Sequence, residues 1–505
     1  MSAKTGMLAG IDPWWAAVEL RRSHRLVALA FCVLFAPFFV QAQSAPPGPE
    51  LPAAVPAPQA LKSELPGPDA QVHTGTSSGV EADALLRGLL EDHQFLRLEQ
   101  ELDKLPTDDR AFYQGLLENR ANDSKNSASL LEAQLDRIVA SGDNEREKLL
   151  RKALGEDYLR MGDWSKAAAA YAALEERLGK KLSADEQDDL ELPVKLLPLA
   201  KNNPPMSVDA CDPFQMQVEK NPLGLTDIPV FVDARPHDWM LDPTLPFNMI
   251  ARSVAREVGL KVSEEAATIH TLTGKPIQVH MTVIPRFTIE GQLTLHNMTA
   301  FVFEDADYRF ADSDYQVEGV LGLPALMAMG SVTITGNSTI LVHPALQIAV
   351  KEPKDQLKDG ARFFLDGDQM VVALGKAHDL IEGKPASATA PGDERMYVID
   401  AGSQQTYLTS RYFNEHASNF DGQKMALFSV PGSEDVPPQP AFTAETVLLQ
   451  VGATVVPIHY IQVLTQPLGN QALDDVYGVL GIDALDQLGA YTFDYRTMQF
   501  SAQPQ

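Results

Sequence analysis

Between residues 81 and 200 the apolar side chains recur three and four positions apart. EADALLRGLLEDHQFLRLEQEL and EREKLLRKALGEDYLRMGDWSKAAAAYAALEERLG are the clearest runs, and this spacing lines one face of a helix. After ELPVKLLPLAKNNPP the rhythm becomes alternation. PIQVHMTVI, FTIEGQLTLHNM and AETVLLQVGATVVPIHYIQVL read as strands with one buried face, joined by glycine-bearing turns. The fold class expected is α+β and multidomain, helical over 81–200 and predominantly β from about 225 onward. The acidic run SADEQDDLEL lies where the rhythms meet and reads as a solvated boundary.

Both halves carry signs of repetition. In the helical block Leu154, Gly155, Tyr158, Gly162, Ala167 and Tyr171 fall at the spacing of a helix pair that resembles the tetratricopeptide repeat, where small residues let two helices approach and large ones fill the groove. FYQGLLENRANDSKNSASLL reads as a weaker copy. The resemblance implies a short helical layer that packs or recruits a protein partner and carries no chemistry. In the β part, VLGLPALMAMGSVTI from Val320 and VLGIDALDQLGAYTF from Val479 share seven of fifteen residues at an offset of 479 − 320 = 159. Two aspartates that end apolar runs, in WMLDPTLPFNMIAR and YVIDAGSQQTYLTS, stand 400 − 242 = 158 apart. Asp242 precedes Gly322 by 80 residues and Asp400 precedes Gly481 by 81. Two elements that keep their separation in both copies describe a duplicated lobe.

Composition narrows the function. A formal charge of −27 argues against nucleic-acid binding, which draws its affinity from clustered Lys and Arg. Anionic membranes and acidic polymers are poor partners for the same reason. Residues 1–42 have the parts of a secretory signal: Arg21, Arg22 and Arg25, an apolar run from Leu26 to Val40, and Val40-Gln41-Ala42 as the cleavage site. Export, periplasmic or extracellular, is expected, with an uncleaved membrane anchor as the alternative. Beyond residue 42 no apolar stretch is long enough to span a bilayer. Cys211 is the one cysteine left there, so no internal disulfide can form. Residues 43–80, with eight prolines, read as a linker.

Asp400-Ala401-Gly402-Ser403 with Thr406-Tyr407-Leu408, Asp242 with Phe247-Asn248-Met249-Ile250, and the paired Val320-Leu321-Gly322 and Val479-Leu480-Gly481 resemble the retropepsin and pepsin aspartic protease families over roughly residues 225–505. The resemblance implies a helical domain at 81–200 followed by two tandem all-β lobes, 225–350 and 360–505. It implies catalysis by an Asp242 and Asp400 dyad on a peptide or protein substrate, with active-site loops Pro243-Thr244 and Ala401-Gly402-Ser403, supporting glycines at 322 and 481, and no cofactor or metal. Two carboxylates held close cannot both ionise cheaply, so they share one proton and act as base and acid. HTLTGKP, from His270 to Pro276, is the candidate first flap.

The chain departs from the family pattern Asp-Thr/Ser-Gly in both lobes. Pro243 removes a backbone N–H, Thr244 replaces the turn glycine, and Ala401 lacks the hydroxyl that braces the two loops in the family. Two other readings therefore stand beside the endopeptidase: a catalytically impaired protease-like cleft that binds extended peptides, and a scaffold in which the helical layer recruits partners. No G-x-S-x-G, H-E-x-x-H, paired C-x-x-C or P-loop pattern occurs, and His270, His280 and His296 read as surface or packing residues.

Overall fold

The computed structural model describes residues 79–503 apart from 103, 106, 223, 244, 271–275, 309–314, 337, 346–359, 368, 377–393, 431–436 and 469–470. The signal and linker segments, Thr244 and the 271–275 turn of the flap candidate lie outside the described residues.

Seven helices open the described chain: α1 (Gly79–Glu91), α2 (Phe95–Leu102), α3 (Thr107–Arg120), α4 (Ser124–Ser141), α5 (Asn144–Arg160), α6 (Trp164–Leu178) and α7 (Ala184–Ala200). The pair α3/α4 is repeated by α5/α6 with a period of 40 residues. A methyl on Gly115 would lie 2.7 Å from Leu131, and one on Gly155 would lie 2.5 Å from the Tyr171 ring. Each glycine thus lets a large side chain of the next helix lie against its backbone. The turns match as well, since Asn122 and Gly162 both take positive φ, 59° and 72°. SADEQDDLEL is no boundary. Ser183 and Glu186 form a reciprocal capping box that starts α7, and the acidic residues that follow suit the positive end of the helix dipole. The S-x-x-E spacing was the overlooked signal.

The β region begins with strand Ser207–Val208, earlier than the expected 225. That strand pairs with Leu293–Phe303, and Phe214–Gln217 pairs with Thr339–His343. One register then occurs twice, once in each of two β repeats (lobes). In the first, Met240 and Leu241 pair in parallel with Val320 and Leu321; in the second, Val398 and Ile399 pair in parallel with Val479 and Leu480. On the other side of each glycine-bearing strand, Met249 faces Val320 and Tyr407 faces Val479.

A sheet made by both halves joins the lobes. Its strand order is Phe214–Gln217, Thr339–His343, Ser331–Thr335, Ala490–Asp494, Gln499–Gln503 and Ala361–Asp366. At its centre Ser331 pairs with Asp494, Val332 with Phe493, Thr333 with Thr492 and Ile334 with Tyr491. Thr333 and Thr492 are copies of each other at the 159-residue offset, so an approximate twofold passes between them, where their hydroxyls lie 2.8 Å apart.

The helices pack on the outer face of the second lobe. Along strand Glu394–Ile399, Tyr397 and Ile399 enter the core of the lobes, while Met396 and Val398 join Leu98, Leu116 and Phe95 in the helical core. The Phe95 and Phe364 rings meet at 4.9 Å. Helix α7 serves both cores, with Leu190 and Leu197 in the helical one and Leu196 and Ala200 in that of the lobes. It also reaches the first lobe, where Glu191 Oε1 accepts from Thr268 N at 3.2 Å.

A buried ion cluster links layer and lobe. Asp366 faces Arg120 Nε at 2.7 Å and His93 Nδ1 at 2.8 Å, and Arg120 also meets Glu156 at 3.3 Å. Burial opposes ionisation of Asp366, but Arg120 and His93 outweigh it and hold the carboxyl below its usual range. Arg120→Met is expected to cost about 3–5 kcal/mol by stranding the two buried carboxylates. Urea denaturation measures the loss, and adding Asp366→Asn should restore part of it.

Candidate active site

Each lobe ends a parallel strand pair at its aspartate, and the same hydrogen bond sets both. Asp242 N donates to Leu321 O at 3.0 Å, and Asp400 N donates to Leu480 O at 2.9 Å. The distant glycines lie under the loops that follow. A methyl on Gly322 would fall 2.0 Å from Phe247 O, and one on Gly481 would fall 2.7 Å from Gln405 C. No side chain fits at either place. The glycine amides are used too: Gly322 N donates to Asn248 Oδ1 at 3.1 Å and Gly481 N to Thr406 Oγ1 at 2.8 Å. Asn248 and Thr406 stand at the 158-residue offset of the aspartates. Their bracing role was not read from the sequence, although both are oxygen acceptors at matched positions.

The two aspartates come together. A methyl on Gly402 would lie 3.0 Å from Asp242 Oδ2 and 3.4 Å from Asp400 Oδ1, so both carboxylates border one small space. A side chain at 402 would crowd the carboxylate from the opposite repeat as well as that of its own. Its N–H donates to Asp400 Oδ1 at 3.1 Å. Pro243 and Ala401 are buried beside the aspartates, and Gly402 and Ser403 are half-buried.

The pair is asymmetric. Asp400 is buried, whereas Asp242 is partly open. Burial first and the charge of Asp242 second push the Asp400 carboxyl up to about 7, against the pull of the Gly402 and Ser403 amides. Three phenols that the sequence reading missed feel the pair's charge. Tyr308 and Tyr495 are raised by burial and then by Asp242, and Tyr407 by burial and then by Asp400. A motif search does not find such residues, because they are placed by packing. His280 and His296 are engaged elsewhere, with Ser263 O and Asp209. Among the described residues no cluster of three or more His, Cys, Asp or Glu could hold a metal.

Comparison with known proteins bears on the first lobe. Residues 228–325 match the aspartyl protease family. That aspartyl protease match contains Asp242, Asn248 and Gly322 together. No curated protein sequence matches the chain. Solved structures similar to it include conglutin gamma, a unique basic 7S globulin from lupine seeds, at 10% identity, covering 58% of this chain and 96% of that one with a TM-score of 0.36. Basic 7S globulin from soybean is similar at 11% identity, with 58% and 96% coverage and a TM-score of 0.34. A retropepsin-like aspartic protease from Rickettsia conorii is similar at 13% identity, with 26% and 94% coverage and a TM-score of 0.20.

The raised carboxyl has a stability consequence. In the unfolded chain Asp400 ionises near 3.8 and in the folded chain near 7. The fold is therefore favoured at low pH and loses that advantage as pH rises from about 4 through 7. Asp400→Asn, which cannot ionise, is expected to stabilise the protein at pH 8 by roughly 1–3 kcal/mol and to have little effect at pH 4. Thermal melts at the two pH values check this.

Proposed function

We propose that the chain is an exported aspartic endopeptidase whose Asp242 and Asp400 form one dyad across two tandem acid-protease-like lobes. The observation that supports this most is the pair of carboxylates bordering one space, with Asp400 held protonated to about pH 7 while Asp242 stays more open to water. The protonated Asp400 donates to the carbonyl oxygen of a peptide bond, and the ionised Asp242 takes a proton from the attacking water. The tetrahedral diol then collapses: one of its hydroxyls returns a proton to Asp400 as the new carbonyl forms, the C–N bond breaks, and the proton held by Asp242 passes to the leaving nitrogen. Both aspartates return to their starting states without a covalent intermediate or a cofactor.

Export rests on the basic, apolar and small-residue pattern of residues 1–42. Among the described residues no helix is long and apolar enough to cross a membrane. We read the 40-residue helix pairs as a tetratricopeptide-like layer whose first role is packing on the second lobe, with any partner binding on its outward side.

A second reading keeps the cleft and drops the chemistry. It is favoured by Pro243, which offers no N–H to its own aspartate. In that case the cleft binds extended peptides without cleaving them.

Cleavage of a denatured protein at pH 4–8 separates the two readings. Asp242→Asn and Asp400→Asn should each abolish it, and kcat should fall above a pH of about 7 as Asp400 loses its proton. Activity surviving in either variant rejects the dyad. Pro243→Thr with Thr244→Gly should raise turnover, or create it if the native loop is impaired.

A further inference from the structure

Helix Ile482–Gln487 starts directly behind the Asp400 loop, and its second residue is an aspartate. Asp483 Oδ1 accepts three hydrogen bonds: from Thr406 N at 2.8 Å, Thr406 Oγ1 at 2.5 Å and Ala484 N at 2.8 Å. Thr406 is buried, 1% exposed, and its hydroxyl oxygen accepts from Gly481 N. The same helix start closes the loop from the other side. Ile482 N donates to Ser403 O at 2.9 Å and Asp483 N to Gln404 O at 3.3 Å.

Among the described residues of the first lobe no carboxylate takes this place. The residue 159 positions before Asp483 is Pro324, which carries neither a carboxylate nor an N–H. There the longer Asn248 side chain does the work alone, accepting from Gly322 N and donating to Thr299 O at 3.4 Å. A hydroxyl that accepts from Gly481 has its own proton to place, and in a buried setting that proton needs an acceptor. Asp483 supplies it.

We propose that Asp483 is a positioning residue for Asp400: by taking the amide and hydroxyl protons of Thr406 it holds the loop in the shape that keeps Asp400 covered and beside Asp242. This rests on the reading of Asp400 as the proton-carrying member of the dyad. The groups facing Asp400 are Asp242 from the other lobe, Tyr407 from its own and the amides of Gly402 and Ser403. Asp483 acts on it through the loop.

The test uses the full chain and two readouts. One is the titration of the Asp400 carboxyl carbon by NMR, assigned by its loss in Asp400→Asn. The other is kcat and KM on carboxymethylated casein. Asp483→Ala is expected to lower the Asp400 midpoint by about one pH unit or more, and to lower kcat about tenfold or more with KM changed less than about twofold. Asp483→Asn keeps the accepting oxygen and should restore both. Thr406→Val keeps the volume and should reproduce the fall in midpoint, which carries the test if Asp483→Ala does not fold. A folded Asp483→Ala with unchanged midpoint and kcat overturns the proposal, as does an unchanged midpoint in Thr406→Val or an Asn variant as damaged as the Ala one. If the native chain cleaves nothing, the endopeptidase reading falls, and the titrations still decide the role of Asp483.

Discussion

The hydroxyls of Thr333 and Thr492 meet where a strand pairs with its own duplicate. In an antiparallel ladder that meeting is possible at one register, and a slip of a single residue would move every side chain to the opposite face. With this register in place, the chain before Val320 and the chain before Val479 are related by the same rotation. Their aspartates then arrive at one point although 158 residues separate them. Pro243 and Ala401, which follow the two aspartates, carry no hydroxyl, so the joint sheet carries the alignment. Its interior residues Val332, Phe493 and Phe500 are buried, and burial of that extent contributes far more than a hydrogen bond between two side chains.

The repeated register was legible in the sequence because duplication writes its own ruler. The offsets at Asp242/Asp400 and Val320/Val479 survive, and the structure obeys them down to the Met249/Val320 and Tyr407/Val479 pairs. The fifteen-residue repeat even contains the two threonines of the axis, next to its last residue, but a repeat does not say how its copies face each other. That depends on which edges pair, a long-range choice with no local signature. Strand Phe214–Gln217 was missed for a related reason. It is four residues long and is stabilised by Thr339–His343, more than 120 positions later.

Other features were hidden by chemistry acting at a distance. Asp366 stands in an ordinary turn sequence, LDGD, and nothing there announces that Arg120 and His93 will close on it. Asp483 breaks the symmetry of an otherwise matched repeat, opposite Pro324. Mismatches inside a duplication mark where two copies have taken different tasks, and the buried, proton-retaining Asp400 lies on the side that gained the extra carboxylate.

The sidedness of strand Glu394–Ile399 has a bearing on how far the chain can be shortened. Met396 and Val398 share a core with helical residues such as Phe95, Leu98 and Leu116. Trimming the helical region away would expose this apolar side of the sheet and make it prone to clump. The helices are thus a cover that the second β repeat relies on, and a chain shortened past α1 would trade a sealed face for an adhesive one.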